Sequence, residues 1–215
     1  RRPDLAPLLR WQGCLAMPTG HVANSVASYS DGTVIATVLT RPGTSITDFV
    51  MGRDTGGVYE RGPRDRAFRL LPGTQLQGNN GLETARDDSG FYVIAFGPRQ
   101  VVAYARRNTR QPLWRLTAPD FMPDNIHWDG DRLLLAGMAR DEPTCGGTRK
   151  IIDGVADAMA CHRGWTVAQL DPVARRFTLV ASGPPDLLFN GVSAAVILDG
   201  ALWLGSYQAE RIAIR

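Results

Sequence analysis

Lysine is almost missing: Lys150 is the one lysine among the 24 basic residues of this 215-residue chain. The arginines that replace it include the pairs Arg106-Arg107 and Arg175-Arg176, which fall in expected inter-strand turns and read as solvated surface. No basic run is interleaved with aromatics, and a formal charge of +3 is too small to mark a nucleic-acid partner. Cysteine is scarce as well. Cys14, Cys145 and Cys161 include no C-x-x-C spacing, which argues against zinc and thioredoxin-type chemistry. No stretch approaches the ~18 consecutive apolar residues of a membrane span. The opening Arg1-Arg2-Pro3-Asp4 carries no apolar signal segment. Helical periodicity is poor throughout; only residues 151–161 read as one or two helical turns. The run Gly52-Arg53-Asp54-Thr55-Gly56-Gly57 lacks the Gly-Lys-Ser/Thr ending of a phosphate loop, so nucleotide binding is not expected there.

What is present is evenly spread. The 23 glycines and 14 prolines punctuate the whole length, and the short segments between them are rich in β-branched and aromatic residues. This is the pattern of an all-β sandwich, barrel or propeller. A loose repeat narrows the choice. Asn24-Ser25-Val26, Asn80-Gly81-Leu82, Asn125-Ile126-His127 and Asn190-Gly191-Val192 each precede a hinge, namely Asp31-Gly32, Ser89-Gly90, Asp129-Gly130 and Asp199-Gly200. A hydrophobic strand follows every hinge, as in Phe91-Tyr92-Val93-Ile94-Ala95 and Leu133-Leu134-Leu135-Ala136. A unit of roughly 45–65 residues built from strand, tight turn and strand is the mark of β-propeller blades. Four such units are visible. The expected organisation is a single propeller domain over residues 1–215, N-terminally incomplete, with an insertion at residues 141–164. Tryptophans Trp114, Trp128, Trp165 and Trp203 are expected to pack between blades. Cys145 and Cys161 bracket the insertion. A disulfide between them would contribute roughly 3 kcal/mol in an oxidising compartment; two separate buried thiols are the other reading. The first would place the protein in the periplasm or outside the cell, the second in the cytoplasm. Cys14 is expected as a small core residue.

The blocks also resemble a known family. Gly78-Asn79-Asn80-Gly81-Leu82-Glu83 followed by Asp88-Ser89-Gly90-Phe91-Tyr92-Val93 is similar to the signature of six-bladed calcium-dependent propeller hydrolases, the paraoxonase, gluconolactonase and regucalcin-like group. Met122-Pro123-Asp124-Asn125-Ile126-His127 with Asp129-Gly130 resembles a second segment of that group, and Ser193 through Gly205 resembles the closing blade of paraoxonases. The resemblance implies a six-bladed type of propeller with about four blades present here. It also implies a Ca²⁺-dependent hydrolase of a lactone or ester, a small-molecule substrate. Asn24, Asn80, Asp124 and Asn125 match the positions of oxygen ligands to the metal. Ca²⁺ takes six to eight such donors and polarises the substrate oxygen. The acidic ligand that the family draws from its first blade would lie upstream of this sequence. His127, two residues beyond Asn125 and on the same strand face, is the candidate general base. His21, Glu83 and Ser193 are candidate pocket-lining residues. Asn190 stands outside the constellation, because the tail alignment puts Ser193 nearer the pocket. The alternative reading is a non-catalytic propeller that binds a ligand or protein and keeps a structural metal.

Overall fold

Strands with both faces buried are written as unbroken apolar runs, and successive side chains of such a run must enter opposite cores. The segment Leu133-Leu134-Leu135-Ala136 does this. Leu133 and Leu135 enter one apolar cluster while Leu134 and Ala136 enter the next. Phe91 and Val93 likewise face one way and Ile94 the other. The computed structural model describes residues 11–140, 151–152, 155–156 and 162–215. It is all-β, with four antiparallel sheets arranged as a four-blade propeller.

The first blade comprises β1 (Val26–Ser28), β2 (Val34–Val38), β3 (Gly57–Arg61) and β4 (Arg69–Leu70), with the short helix α1 (Ile46–Val50) between β2 and β3. The second is the meander β5 (Asn79–Thr84), β6 (Gly90–Ala95), β7 (Gln100–Ala105) and β8 (Trp114–Thr117). The third orders β9 (Phe121–Asp129) and β10 (Arg132–Ala139) beside β13 (Trp165–Asp171) and β14 (Arg176–Gly183). Between β10 and β13 lies a small hairpin, β11 (Ile151–Ile152) with β12 (Val155–Ala156). The fourth blade has three strands, β15 (Val192–Leu198), β16 (Ala201–Ser206) and β17 (Ala213–Ile214).

Three apolar cores join the four blades. Ile35 and Val58 meet Leu82 and Phe91 between blades 1 and 2. Ile94 and Val101 meet Ile126, Leu133 and Leu135 between blades 2 and 3. Leu134 and Val167 meet Val192, Leu202 and Leu204 between blades 3 and 4. Trp114, Trp128 and Trp165 pack against these cores. Trp203 instead lies on the far face of blade 4, in register with Val196 and Ile214. Val196 and Ile214 are more than half exposed.

The hinges form as their dipeptides require. Asp199 and Gly200 both take positive φ, 50° and 78°, the backbone of the hairpin turn that continues strand twist. The Asp31 carboxylate accepts the Thr33 N–H at 2.9 Å across the first hinge.

Three local expectations differ from the structure. Residues 151–152 and 155–156 pair as strands instead of continuing a helix. Helix α1 was not anticipated, although Ser45 and Asp48 form a reciprocal capping box at its start. Cys14 is exposed, because it precedes the first strand on a segment outside the sheet. Cys145 and Cys161 lie outside the described residues.

Leu135 is fully buried between two blades. Leu135→Ala should therefore lower unfolding free energy by roughly 3 kcal/mol. Leu179→Ala, on the exposed outermost strand β14, should change it by less than about 0.5 kcal/mol. Urea unfolding of both variants checks the contrast.

Candidate functional site

The innermost strands β1, β5, β9 and β15 carry the repeat, and three of them are interrupted at equivalent places. In β5 the register slips between Asn79 and Leu82, leaving Asn80-Gly81 unpaired with β6. In β9 the slip falls between Pro123 and Asn125, so Asp124 bulges. In β15 it falls between Val192 and Ala194, at Ser193. A bulge inserts one extra residue and re-aims its side chain. Asn80, Asp124 and Ser193 are thereby structural equivalents, although the asparagine repeat aligns them differently.

The blades come very close here. A Cβ on Gly81 would stand 2.5 Å from the Asp124 carbonyl oxygen and 2.7 Å from the Asn125 Cα. Only glycine lets β5 lie against the β9 bulge at that distance. Thr37, fully buried on β2, secures the other side. Its hydroxyl donates to the Asn80 carbonyl oxygen at 2.7 Å and accepts from the Ser25 N–H at 3.0 Å. Neighbouring Asn79 is structural. Its amide accepts from the Leu76 N–H at 3.1 Å and donates to the Thr74 carbonyl at 2.9 Å.

Asn125 ties three blades together. Its Nδ2 donates to Asp124 Oδ1 and to the Ser193 carbonyl oxygen, both at 3.1 Å. Its Oδ1 accepts from Ser25 Oγ at 2.9 Å. Ser25 Oγ also lies 3.1 Å from Asn24 Oδ1, although the Asn24 side chain is exposed. Asp124 and Asn125 are thus joined directly, with Ser25 linking Asn24 to Asn125 on one side and the Ser193 backbone bonded on the other. Asp124 is the charged member and is 8% exposed. Burial pushes its carboxyl up to about 7, and a hydrogen bond from the Asn80 side chain offsets part of that shift. Asn80 Oδ1 is buried without a hydrogen-bond partner.

The remaining candidates are set apart. His127 is largely exposed, with Nδ1 4.0 Å from Glu83 Oε2; Glu83 Oε1 accepts the Thr84 N–H at 2.9 Å. His21 stacks edge-on against Tyr59 at 5.1 Å, with Nδ1 3.1 Å from the Thr19 carbonyl oxygen. Asn190 precedes β15; its Oδ1 is buried and unpaired, and its carbonyl oxygen accepts from Ser206 Oγ. Sequence reasoning missed Ser25, Thr37, Tyr207 and Arg163. Tyr207 lies within electrostatic reach of both Asp124 and Arg163. Of these only Ser25, beside Asn24 in the repeat, carried a signal.

A cation fits this donor set in kind. One donor is a carboxylate in a place costly for bare charge and one is the unpaired Asn80 amide oxygen, while Asn125 would add its oxygen only by turning over the amide whose Nδ2 now faces Asp124. Such ligands suit a hard ion like Ca²⁺. Among the described residues no three His, Cys, Asp or Glu side chains cluster to hold a metal, so amides would supply most of the ligation.

No protein-family model matches the sequence, and no curated protein matches it. Solved structures do resemble it in fold. They include a gluconolactonase from Xanthomonas campestris (TM-score 0.52, 16% identity, 87% of this chain and 56% of that one). The calcium-binding protein regucalcin from Agrobacterium tumefaciens matches at TM-score 0.53 and 10% identity, over 87% of this chain and 54% of that one. A luciferin-regenerating enzyme matches at TM-score 0.50 and 15% identity, over 84% and 52%. The chain spans about half the length of these three neighbours. At such identities the likeness establishes the β-propeller fold and no more. No helix among the described residues is long and apolar enough to cross a membrane.

Two outcomes follow from this geometry. The folded Asp124 carboxyl binds its proton more tightly than the unfolded one, whose value is 3.8. Its contribution to stability is therefore full below pH ~4 and is lost as pH rises towards 7. In chelator, Asp124→Asn should remove that part of the pH slope and unfold later than wild type at pH 8, by at most about 4 kcal/mol. Urea midpoints from pH 4 to 8 measure it. Gly81→Ala should separate β5 from β9 and destabilise the fold by about 1–3 kcal/mol through overpacking, read by thermal unfolding.

Proposed function

We propose that the protein is a metal-dependent hydrolase of lactones or carboxylic esters, with Ca²⁺ at the axial site. The single observation that carries this reading is the buried Asp124 carboxylate beside the unpaired Asn80 Oδ1. A buried carboxylate with no cationic partner among the described residues needs either a proton or a cation. Asn24, Asn80, Asp124 and Asn125 are the proposed ligands. When bound, the metal supplies Lewis acidity, polarising a substrate oxygen. Glu83 would orient the His127 imidazole, and His127 would take a proton from the attacking water as general base. The fold shared with a gluconolactonase and with calcium-binding regucalcin adds support by analogy.

The second reading is a non-catalytic propeller that binds a ligand or protein around a structural cation. It is favoured by the placement of His127, which is largely exposed with Nδ1 4.0 Å from Glu83 Oε2.

Calcium titration by calorimetry, paired with turnover of a panel of lactones and aryl esters, separates the two. The hydrolase reading expects saturable calcium uptake, hydrolysis abolished by chelator, and loss of both in Asn80→Ala with circular dichroism unchanged. His127→Ala should lower kcat by about 10²-fold or more and leave calcium affinity intact. Calcium uptake with no turnover on any substrate would favour the binding module. Hydrolysis that persists in chelator would sink the metal mechanism.

A further inference from the structure

We infer that Tyr207 belongs to the axial site as a phenolic hydrogen-bond donor to the carbonyl oxygen of a neutral ester or lactone held beside Asp124. The inference rests on the hydrolase reading above and adds to it a residue from blade 4.

The turn after β16 is tightly tied. Ser206 Oγ donates to the Asn190 carbonyl oxygen and accepts the N–H groups of Gln208 at 2.9 Å and Ala209 at 2.8 Å. The Tyr207 N–H donates to the Gly191 carbonyl oxygen at 3.2 Å. The ring is thereby directed towards blade 3, where its hydroxyl donates to Met138 Sδ at 3.5 Å. Met138 pairs with Met122 and follows Gly137, which stands opposite Pro123 at the edge of the Asp124 bulge. Tyr207, 42% exposed, therefore reaches across the blade 3–blade 4 seam to the strand that pairs with the Asp124 bulge.

The other donors there already have strong acceptors. The Asn125 amide donates to Asp124, and the Ser25 hydroxyl donates to Asn125. Tyr207 alone among these holds its proton against a thioether, a weak acceptor. Exchanging sulfur for a carbonyl oxygen gains a normal hydrogen bond and leaves behind a group that needs none. Burial also pushes the phenol up to about 12, so it keeps its proton at neutral pH. A donor fixed before the ligand arrives is of the kind that stabilises negative charge developing on a carbonyl oxygen.

The test uses calcium-saturated protein and δ-valerolactam, an unreactive carbonyl analogue of a six-membered lactone, with binding measured by calorimetry. Tyr207→Phe should weaken lactam binding by about tenfold while leaving calcium affinity unchanged. Met138→Leu removes the resting acceptor and should bind the lactam at least as well as wild type. If Tyr207→Phe binds like wild type, or Met138→Leu is weakened as much as Tyr207→Phe, the donor role is overturned and the hydrolase reading stands. Wild type that takes calcium but no lactam overturns the donor role in the same way. Wild type that takes neither calcium nor lactam overturns both.

Discussion

One carboxylate sets the terms for the centre of this molecule. Asp124 is buried at a bulge in β9, where inner strands of neighbouring blades approach to backbone contact. A charge placed there loses hydration that neighbouring dipoles replace only in part. Among the described residues the protein answers with a hydrogen bond from the Asn125 amide, and no cationic side chain is seen in direct contact. That arrangement leaves the carboxylate short of positive charge and leaves one amide oxygen unused. A group so placed is either protonated or paired with an ion from outside, and a hard cation meets both deficits at once.

The rest of the architecture serves this junction. Three apolar cores hold the blades face to face, and Gly81 and Thr37 set how closely the inner strands come together. Asn125 then closes the arrangement by bonding to Ser25 on one side and to the Ser193 backbone on the other. Packing and polar pairing cannot be separated here. A methyl group at residue 81 would push against the Asp124–Asn125 backbone that carries the buried carboxylate.

Much of the blade pattern was legible because both faces of each middle strand are buried. Leu133-Leu134-Leu135-Ala136 and Phe91-Tyr92-Val93-Ile94-Ala95 read as strands without any tertiary information, and the Asp-Gly hinges mark the turns. The bulges were not legible. A one-residue slip in pairing leaves no mark in composition, so the repeat aligned Asn125 with Asn80 and Asn190 where the structure aligns Asp124, Asn80 and Ser193. Tyr207 was invisible for a similar reason, since its meeting with Met138 joins residues 69 positions apart. Helix α1 had a local signal in Ser45 and Asp48 that the surrounding turn residues masked, while Cys14 shows that cysteine's general preference for burial does not decide a single position.

The central claim is that the junction around Asp124 takes a hard cation, and anomalous diffraction from crystals soaked in terbium, a calcium mimic, tests it most directly. The account predicts one strong peak bonded to the Asp124 carboxylate and Asn80 Oδ1, at about 2.3–2.6 Å. A junction without density, or a peak confined to the surface cleft lined by Asp31, Asp87, Asp88, Arg106 and Arg107, would contradict it.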